Sequence, residues 1–355
     1  MLKIPSALQK AALLCVSSVV ALLFAELLLR LFVPIRAVGP SFTAYDPVYG
    51  KRLKESFSGE RVTPEFTMRF STNSYGFRGP EPQSFPEHPI LFLGDSFTMG
   101  YGVNDGEEFP ALIHKALMQR DGKEATPIVN AGMGDNGQGW WLKFLRREGK
   151  RYHPRLLVLQ ICANDFEDNV RERLFEFSGA DELQELQIPP ISRVRRIQNC
   201  IDAVPCLAYS YVVGLGNQLR WLYATQHVFS SDQSEGHDVS NRDNLTLQLL
   251  ESIIRMSEHE GWPMIVMIIG VEGSRLQALE KLFRQHYVMV ICMPDKKARP
   301  DLYYHIDGHW NAQGHALAAE MILQELERIR MFTSIFTTPS LSKGKKYFSI
   351  KQYER

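Results

Sequence analysis

The chain has 355 residues, 45% of them hydrophobic and 23% charged, enough apolar material to bury a full core and too much for a disordered protein. Its 40 Lys plus Arg balance 40 Asp plus Glu, so no net field argues for nucleic acid or another polyanion as partner. Cys15, Cys162, Cys200, Cys206 and Cys292 are scattered, with no CxxC pair and no Cys/His group at zinc spacing, so no structural metal is expected.

In chain order the first element is apolar. Residues 11–33 carry only small polar residues and two charges, Glu26 and Arg30, a run long enough to span a bilayer. Lys3 and Lys10 precede it as in a signal sequence, but the stretch exceeds a usual signal core and lacks an A-x-A pattern before Glu26. Residues 1–35 are therefore predicted to form an uncleaved transmembrane helix. Glu26 and Arg30, four apart, can pair on that helix near one membrane face.

Residues 36–88 are rich in Pro, Gly, Ser and aromatics with little helical periodicity, and read as an irregular lead-in. Within it, Ser71-Thr-Asn-Ser-Tyr-Gly-Phe-Arg-Gly79 looks like an ordered turn. From 89 the pattern changes. Short apolar runs at 90–93, 128–129, 156–161, 264–269 and 288–292 read as buried strands, with helices near 107–120, 139–147, 244–260, 274–287 and 311–329. Alternation of this kind implies a parallel sheet covered on both faces, an α/β/α three-layer sandwich over 89–332. About a hundred residues separate the strands at 156 and 264, far more than a crossover needs, so an insertion is expected at about 171–241, ending in a polar loop at 230–241. Decoration and a lid or acceptor-binding surface are both open readings of it. Cys200 and Cys206 within it are close enough in sequence for a disulfide. Residues 333–355 read as a basic, exposed tail.

Chemistry enters at the strand ends. Gly94-Asp-Ser-Phe-Thr98 directly follows the first strand and places Ser96 at the carboxyl edge of the sheet. A serine hydroxyl needs a base and an orienting carboxylate to act as nucleophile. Asp307-Gly-His309-Trp-Asn, between the last strand and last helix, supplies both. Oxyanion donors are offered by the glycine turn Asn130-Ala-Gly-Met-Gly-Asp-Asn-Gly137 and by Asn164 in Cys162-Ala-Asn-Asp165. Asp95, Asp165 and His315 read as structural, and Trp310 as packing for the loop that carries His309.

With these four motifs in this order the sequence resembles the SGNH (GDSL-like) hydrolases, whose blocks contribute Ser, Gly, Asn and His. The resemblance covers about residues 70–330. It includes Asn73-Ser-Tyr-Gly-Phe-Arg78 and Asn164-Asp-Phe-Glu-Asp-Asn169, typical of bacterial members with one amino-terminal membrane segment. It implies a flavodoxin-like SGNH hydrolase fold and a serine esterase or acyltransferase without a cofactor. Ser96 would be nucleophile, His309 base and Asp307 its partner, with Ser96, Gly134 and Asn164 in the oxyanion hole. It departs from the family in Cys162 where Gly is usual, in D-x-H rather than D-x-x-H, and in a compressed glycine turn that keeps Gly132 beside Gly134 as a candidate. An acyl ester, by analogy that of an envelope polysaccharide, is the implied substrate, reached from the outer side of a bacterial inner membrane. A catalytically idle glycan-binding or scaffold relative is the alternative reading.

Overall fold

The computed structural model describes residues 6–122, 125–178, 182–231, 236–335 and 350–352, in two compact units. The larger comprises residues 42–58, 68–191 and 235–355. Its centre is a six-stranded sheet: β1 (Ile90–Leu93), β2 (Ile128–Asn130), β3 (Leu156–Cys162), β4 (Met264–Ile269), β5 (Met289–Cys292) and β6 (Ile350–Gln352). All neighbours run parallel, in the order β6-β5-β4-β3-β1-β2. Strands β1 and β3 are buried at every position, which is why they read as continuous apolar runs rather than alternating ones. Helix Ala312–Ile335 packs on Phe109–Asp121, while Gly236–Glu260 packs on Gln138–Phe144 and Asp165–Glu172. Sheet and helices make the expected three-layer α/β/α sandwich. The order 2-1-3-4-5 is that of flavodoxin-like sheets, in which ligands bind at the carboxyl ends near the switch point between β1 and β3.

Three stretches differ from the sequence reading. Residues 36–88 are not irregular throughout: they include strands Thr43–Asp46, Gly50–Leu53, Ser58–Val62 and Thr67–Ser71. The first two form an antiparallel hairpin, and Met68 and Phe70 are fully buried while Thr67 and Arg69 are exposed. Strands this short give too few alternations to stand out among turn residues. The polar stretch 230–241 is helical on both described sides, within Tyr211–Ser231 and Gly236–Glu260, since no proline interrupts it. In the tail, helix Ala312–Ile335 extends past residue 332, and Ile350–Gln352 pairs with the open edge of β5. The remainder of the tail, 336–349 and 353–355, lies outside the described residues.

The smaller unit comprises residues 1–41, 59–67 and 192–234. In its helix Ser6–Phe32, the 26 residues Ala7–Phe32 include an 18-residue stretch of mean hydropathy 2.5, long and apolar enough to cross a membrane. The middle of the insertion packs in this unit as helices Arg193–Asp202, Pro205–Ala208 and Tyr211–Ser231. Glu26 ties the two parts together. Its carboxylate accepts from Ser210 Oγ (2.8 Å), Tyr211 N (3.0 Å) and Val212 N (3.1 Å), and so caps the start of helix Tyr211–Ser231. Arg30, the expected pairing partner, donates to Glu26 at 2.8 Å and also to Tyr209 O at 3.2 Å. Cys200 and Cys206 do not form the expected disulfide: both thiols are free and exposed, each fixed in its own helical segment.

Candidate active site

Beyond Leu93 the chain turns through Gly94 and Asp95 into a four-residue helix, Ser96–Met99. Asp95 caps that helix by accepting from Phe97 N at 2.9 Å. Its own N–H donates to Gln160 Oε1 (3.2 Å), which also accepts from Thr98 Oγ1 (2.9 Å). Gln160 is the one polar side chain in β3, and it moors the turn that carries Ser96 to the neighbouring strand. The other end of the helix is held by Arg78, whose side chain is fully buried. Its guanidinium donates to Met99 O (2.9 Å), Gly100 O (2.5 Å) and Val103 O (2.7 Å), with Asp105 and Glu108 beside it to balance the charge.

The loop after β5 carries His309. Tyr304 N donates to His309 O (2.8 Å), Gly308 N to Tyr304 O (3.3 Å), and the Tyr304 hydroxyl to Gly102 O (2.8 Å). Trp310, fully buried, packs edge-on against Phe97 with ring centroids 4.9 Å apart. The imidazole of His309 lies between Phe97 and Tyr101, at 5.1 and 4.9 Å. Its Nε2 is 2.7 Å from Ser96 Oγ, and its Nδ1 is hydrogen bonded to Asp307 Oδ1. That pattern fixes the tautomer: Nδ1–H donates to the carboxylate and Nε2 accepts the serine proton. The short D-x-H spacing is made possible by Gly308 at φ 86°, a left-handed bend that folds Asp307 back onto the ring.

The two glycine candidates separate. A Cβ on Gly132 would lie 2.4 Å from Met99 N and 2.6 Å from Thr98 C, so this buried glycine serves close packing on helix Ser96–Met99. Gly134 is half-buried, and a Cβ there would lie 3.8 Å from Ser96 Cβ. Asn164, opposite, donates through Nδ2 to Asp168 Oδ2 (2.9 Å) and Asp95 Oδ2 (3.3 Å).

Beneath Asn164 lies a cluster of buried acids. Burial pushes the Asp95 carboxyl up to about 6, against the opposing pull of the Phe97 N–H, His309 and Asn164. Burial likewise raises Asp165 well above the ordinary carboxylate range, and neighbouring Asp95 raises it further. Asp165 Oδ2 accepts from Cys162 N (3.1 Å) and Gln138 Nε2 (2.6 Å), holding the loop that presents Asn164. His315 is buried with its basicity lowered to about 3 by burial, and its Nδ1 faces Phe109 N at 3.4 Å, a structural placement.

Sequence reasoning missed two residues that grip the glycine turn. Lys51, from the hairpin ahead of the sandwich, donates to Gly134 O (3.2 Å) and to Asp135 O. It also pairs with Glu172 at 3.2 Å, and Glu172 accepts from Gly137 N at 3.3 Å. No local motif marks Lys51, because its partners lie more than eighty residues away. Gln160 and Arg78 did carry signals, a lone amide in an apolar strand and a cation inside the 73–78 motif. Among the described residues no group of three or more His, Cys, Asp or Glu is placed to hold a metal ion. A cavity of about 810 Å³, lined in part by Arg78, Glu108, His114 and Asn130, touches neither Ser96 nor His309.

No protein-family model matches the sequence, and no curated protein matches it. Solved structures similar to the chain include the psychrotrophic esterase EstA from Pseudoalteromonas sp., at 14% identity over 68% of this chain and 98% of that one, with a TM-score of 0.41. TesA is similar at 14% identity over 68% and 98%, TM-score 0.39, and an acetyl xylan esterase, AlAXEase, at 11% over 67% and 98%, TM-score 0.41. In its sheet order, and in carrying Ser, Gly, Asn and His after β1, β2, β3 and β5 respectively, the chain has the arrangement of the SGNH hydrolases that its sequence resembles.

Proposed function

We propose that this chain is a membrane-anchored serine esterase or O-acyltransferase of the SGNH type, with Ser96, His309 and Asp307 as its triad. The observation that carries the reading is the 2.7 Å approach of Ser96 Oγ to His309 Nε2 while Asp307 occupies the other ring nitrogen. His309 takes the hydroxyl proton as Ser96 Oγ bonds to the acyl carbon, and the carbonyl electrons move onto oxygen. Ser96 N–H, Gly134 N–H and the Asn164 amide receive that oxyanion. Asn164 must first release one carboxylate, and its 3.3 Å bond to Asp95 is the weaker. The tetrahedral species collapses as the leaving alkoxide departs with the proton from His309, leaving an acyl-serine. Water or a sugar hydroxyl, deprotonated by His309, then attacks the acyl carbon and frees Ser96. The assembled triad argues against an idle relative. An envelope polysaccharide as acyl donor or acceptor, on the outer side of a bacterial inner membrane, is the reading by analogy.

Retention of the anchor is supported by Glu26, since cleavage after the apolar helix would remove the cap of helix Tyr211–Ser231. The acyl-enzyme is the direct test of the activity: with an activated acyl ester, the peptide containing Ser96 should gain the acyl mass before steady-state turnover. Turnover without acylation of Ser96 would refute the reading.

The grip on the glycine turn yields a second expectation. Lys51→Met should lower kcat roughly tenfold to a hundredfold with KM nearly unchanged, since a displaced Gly134 N–H weakens only the transition state. Lys51→Arg should recover most of that loss. A Lys51→Met/Glu172→Gln double variant should recover the melting temperature lost in Lys51→Met, because no unpaired buried carboxylate remains, but not kcat. Equal recovery of both would reduce Lys51 to a stability role.

A further inference from the structure

We propose that residues 204–207, with the helix Arg193–Asp202 before them, form a wedge that enters the surface of the lipid bilayer beside the anchor. The proposal rests on the reading that Ser6–Phe32 spans a membrane, and it adds a second, monotopic contact drawn from the insertion. Depth is fixed by hydrogen bonds within the smaller unit. Arg30 holds Tyr209 O, and Glu26 holds Ser210, Tyr211 N and Val212 N. On the helix that ends at Phe32, Glu26 lies about 9 Å and Arg30 about 3 Å before its end. Residues 209–212 thus sit level with the last two turns of the span, within the interfacial layer where polar headgroups meet acyl chains.

The chain immediately before them is built for that layer. Val204, Pro205, Cys206 and Leu207 are all exposed, Val204 and Leu207 at 40% and 42%. Helix Arg193–Asp202 buries no residue. It exposes Val194 and Ile197, three apart and so on one face, at 53% and 61%. Arg193 and Arg196 are exposed on the same helix, placed to meet phosphate headgroups as interfacial amphipathic helices do. Tyr211 has its ring under the Arg30 guanidinium at 4.8 Å, an amphipathic aromatic at the level where such residues anchor membrane proteins. An apolar set of this kind is costly in water. Continuity with the span commits its occupant to lipid rather than to a soluble partner.

The native cysteines provide the test. In full-length protein reconstituted into vesicles of mixed zwitterionic and anionic phospholipid, an environment-sensitive fluorophore is placed on Cys206 in a Cys15→Ser/Cys200→Ser variant. A second preparation carries it on Cys15 in a Cys200→Ser/Cys206→Ser variant. Cys162 and Cys292 react poorly, burial raising the first thiol strongly and the second to about 11. The Cys206 probe should shift to the blue, lose several-fold in quenching by aqueous iodide, and be quenched best by a shallow lipid-borne quencher. Val204→Asp/Leu207→Asp should restore iodide quenching. The Cys15 probe should respond to a deep lipid-borne quencher. A water-like Cys206 probe beside a lipid-buried Cys15 probe overturns the wedge and leaves the span intact, whereas water-like signals at both overturn the span. A blue-shifted Cys206 probe insensitive to every lipid-borne quencher means that protein covers the turn, and overturns lipid as its occupant.

Discussion

Ser96→Ala is expected to lower acyl-ester turnover by roughly a million-fold, and His309→Ala by nearly as much, with the double variant no slower than either alone. The reason is that the two act as one unit. Without His309 the serine keeps its proton, and without the serine the imidazole has no proton to take, so either loss removes the whole nucleophilic route. What survives is the background from oriented binding and the oxyanion donors, about a thousandfold to ten-thousandfold over water. The geometry makes the claim specific to this pair, since Oγ and Nε2 are 2.7 Å apart. Steady-state kinetics on an activated ester measure the effect, and circular dichroism checks that both variants fold. Loss of Ser96 costing less than tenfold in folded protein would move the nucleophile elsewhere.

The elements that place this pair were legible because burial on both faces leaves a plain mark. β1 reads Ile-Leu-Phe-Leu and β3 Leu-Leu-Val-Leu-Gln-Ile-Cys, each followed at once by the loop that carries a candidate site residue. The 2-1-3-4-5 order was implied only through alternation and resemblance, since nothing in a single strand states which neighbour it will meet. The four strands of residues 43–71 were not legible, nor was the edge strand Ile350–Gln352, because each is too short to show a period. Lys51 and Glu172 escaped notice for a related reason. A positioning contact between residues 121 apart has no local pattern, and a lysine in a hairpin is ordinarily a solvated surface charge. Ser96, His309 and Asp307 were legible as candidate chemistry, but the choice between Gly132 and Gly134 needed coordinates: both are glycines in one turn, and only their distances to helix Ser96–Met99 tell packing from proximity.

Asp307→Asn should lower kcat by roughly ten-thousandfold while leaving KM and the melting temperature nearly unchanged. The carboxylate accepts from His309 Nδ1, which holds Nε2 free of its proton and facing Ser96. An asparagine can turn its amide N–H toward Nδ1 instead, which moves the ring proton to Nε2 and leaves no base for the serine. The carboxylate is also the charge that stabilises the imidazolium formed in each transition state, and a neutral amide cannot replace it. A second carboxylate, Asp95, also acts electrostatically on His309, and makes the natural control. Asp95 caps Phe97 N, a duty asparagine performs equally well, so Asp95→Asn should cost far less in kcat. If the two variants lost activity equally, or if Asp95→Asn lost more, orientation of His309 would belong to Asp95 and the D-x-H pair would be structural. The contrast is read by measuring kcat for both variants on the same ester, with the Ser96 acylation rate followed separately to show that the loss falls on the step in which His309 takes the proton.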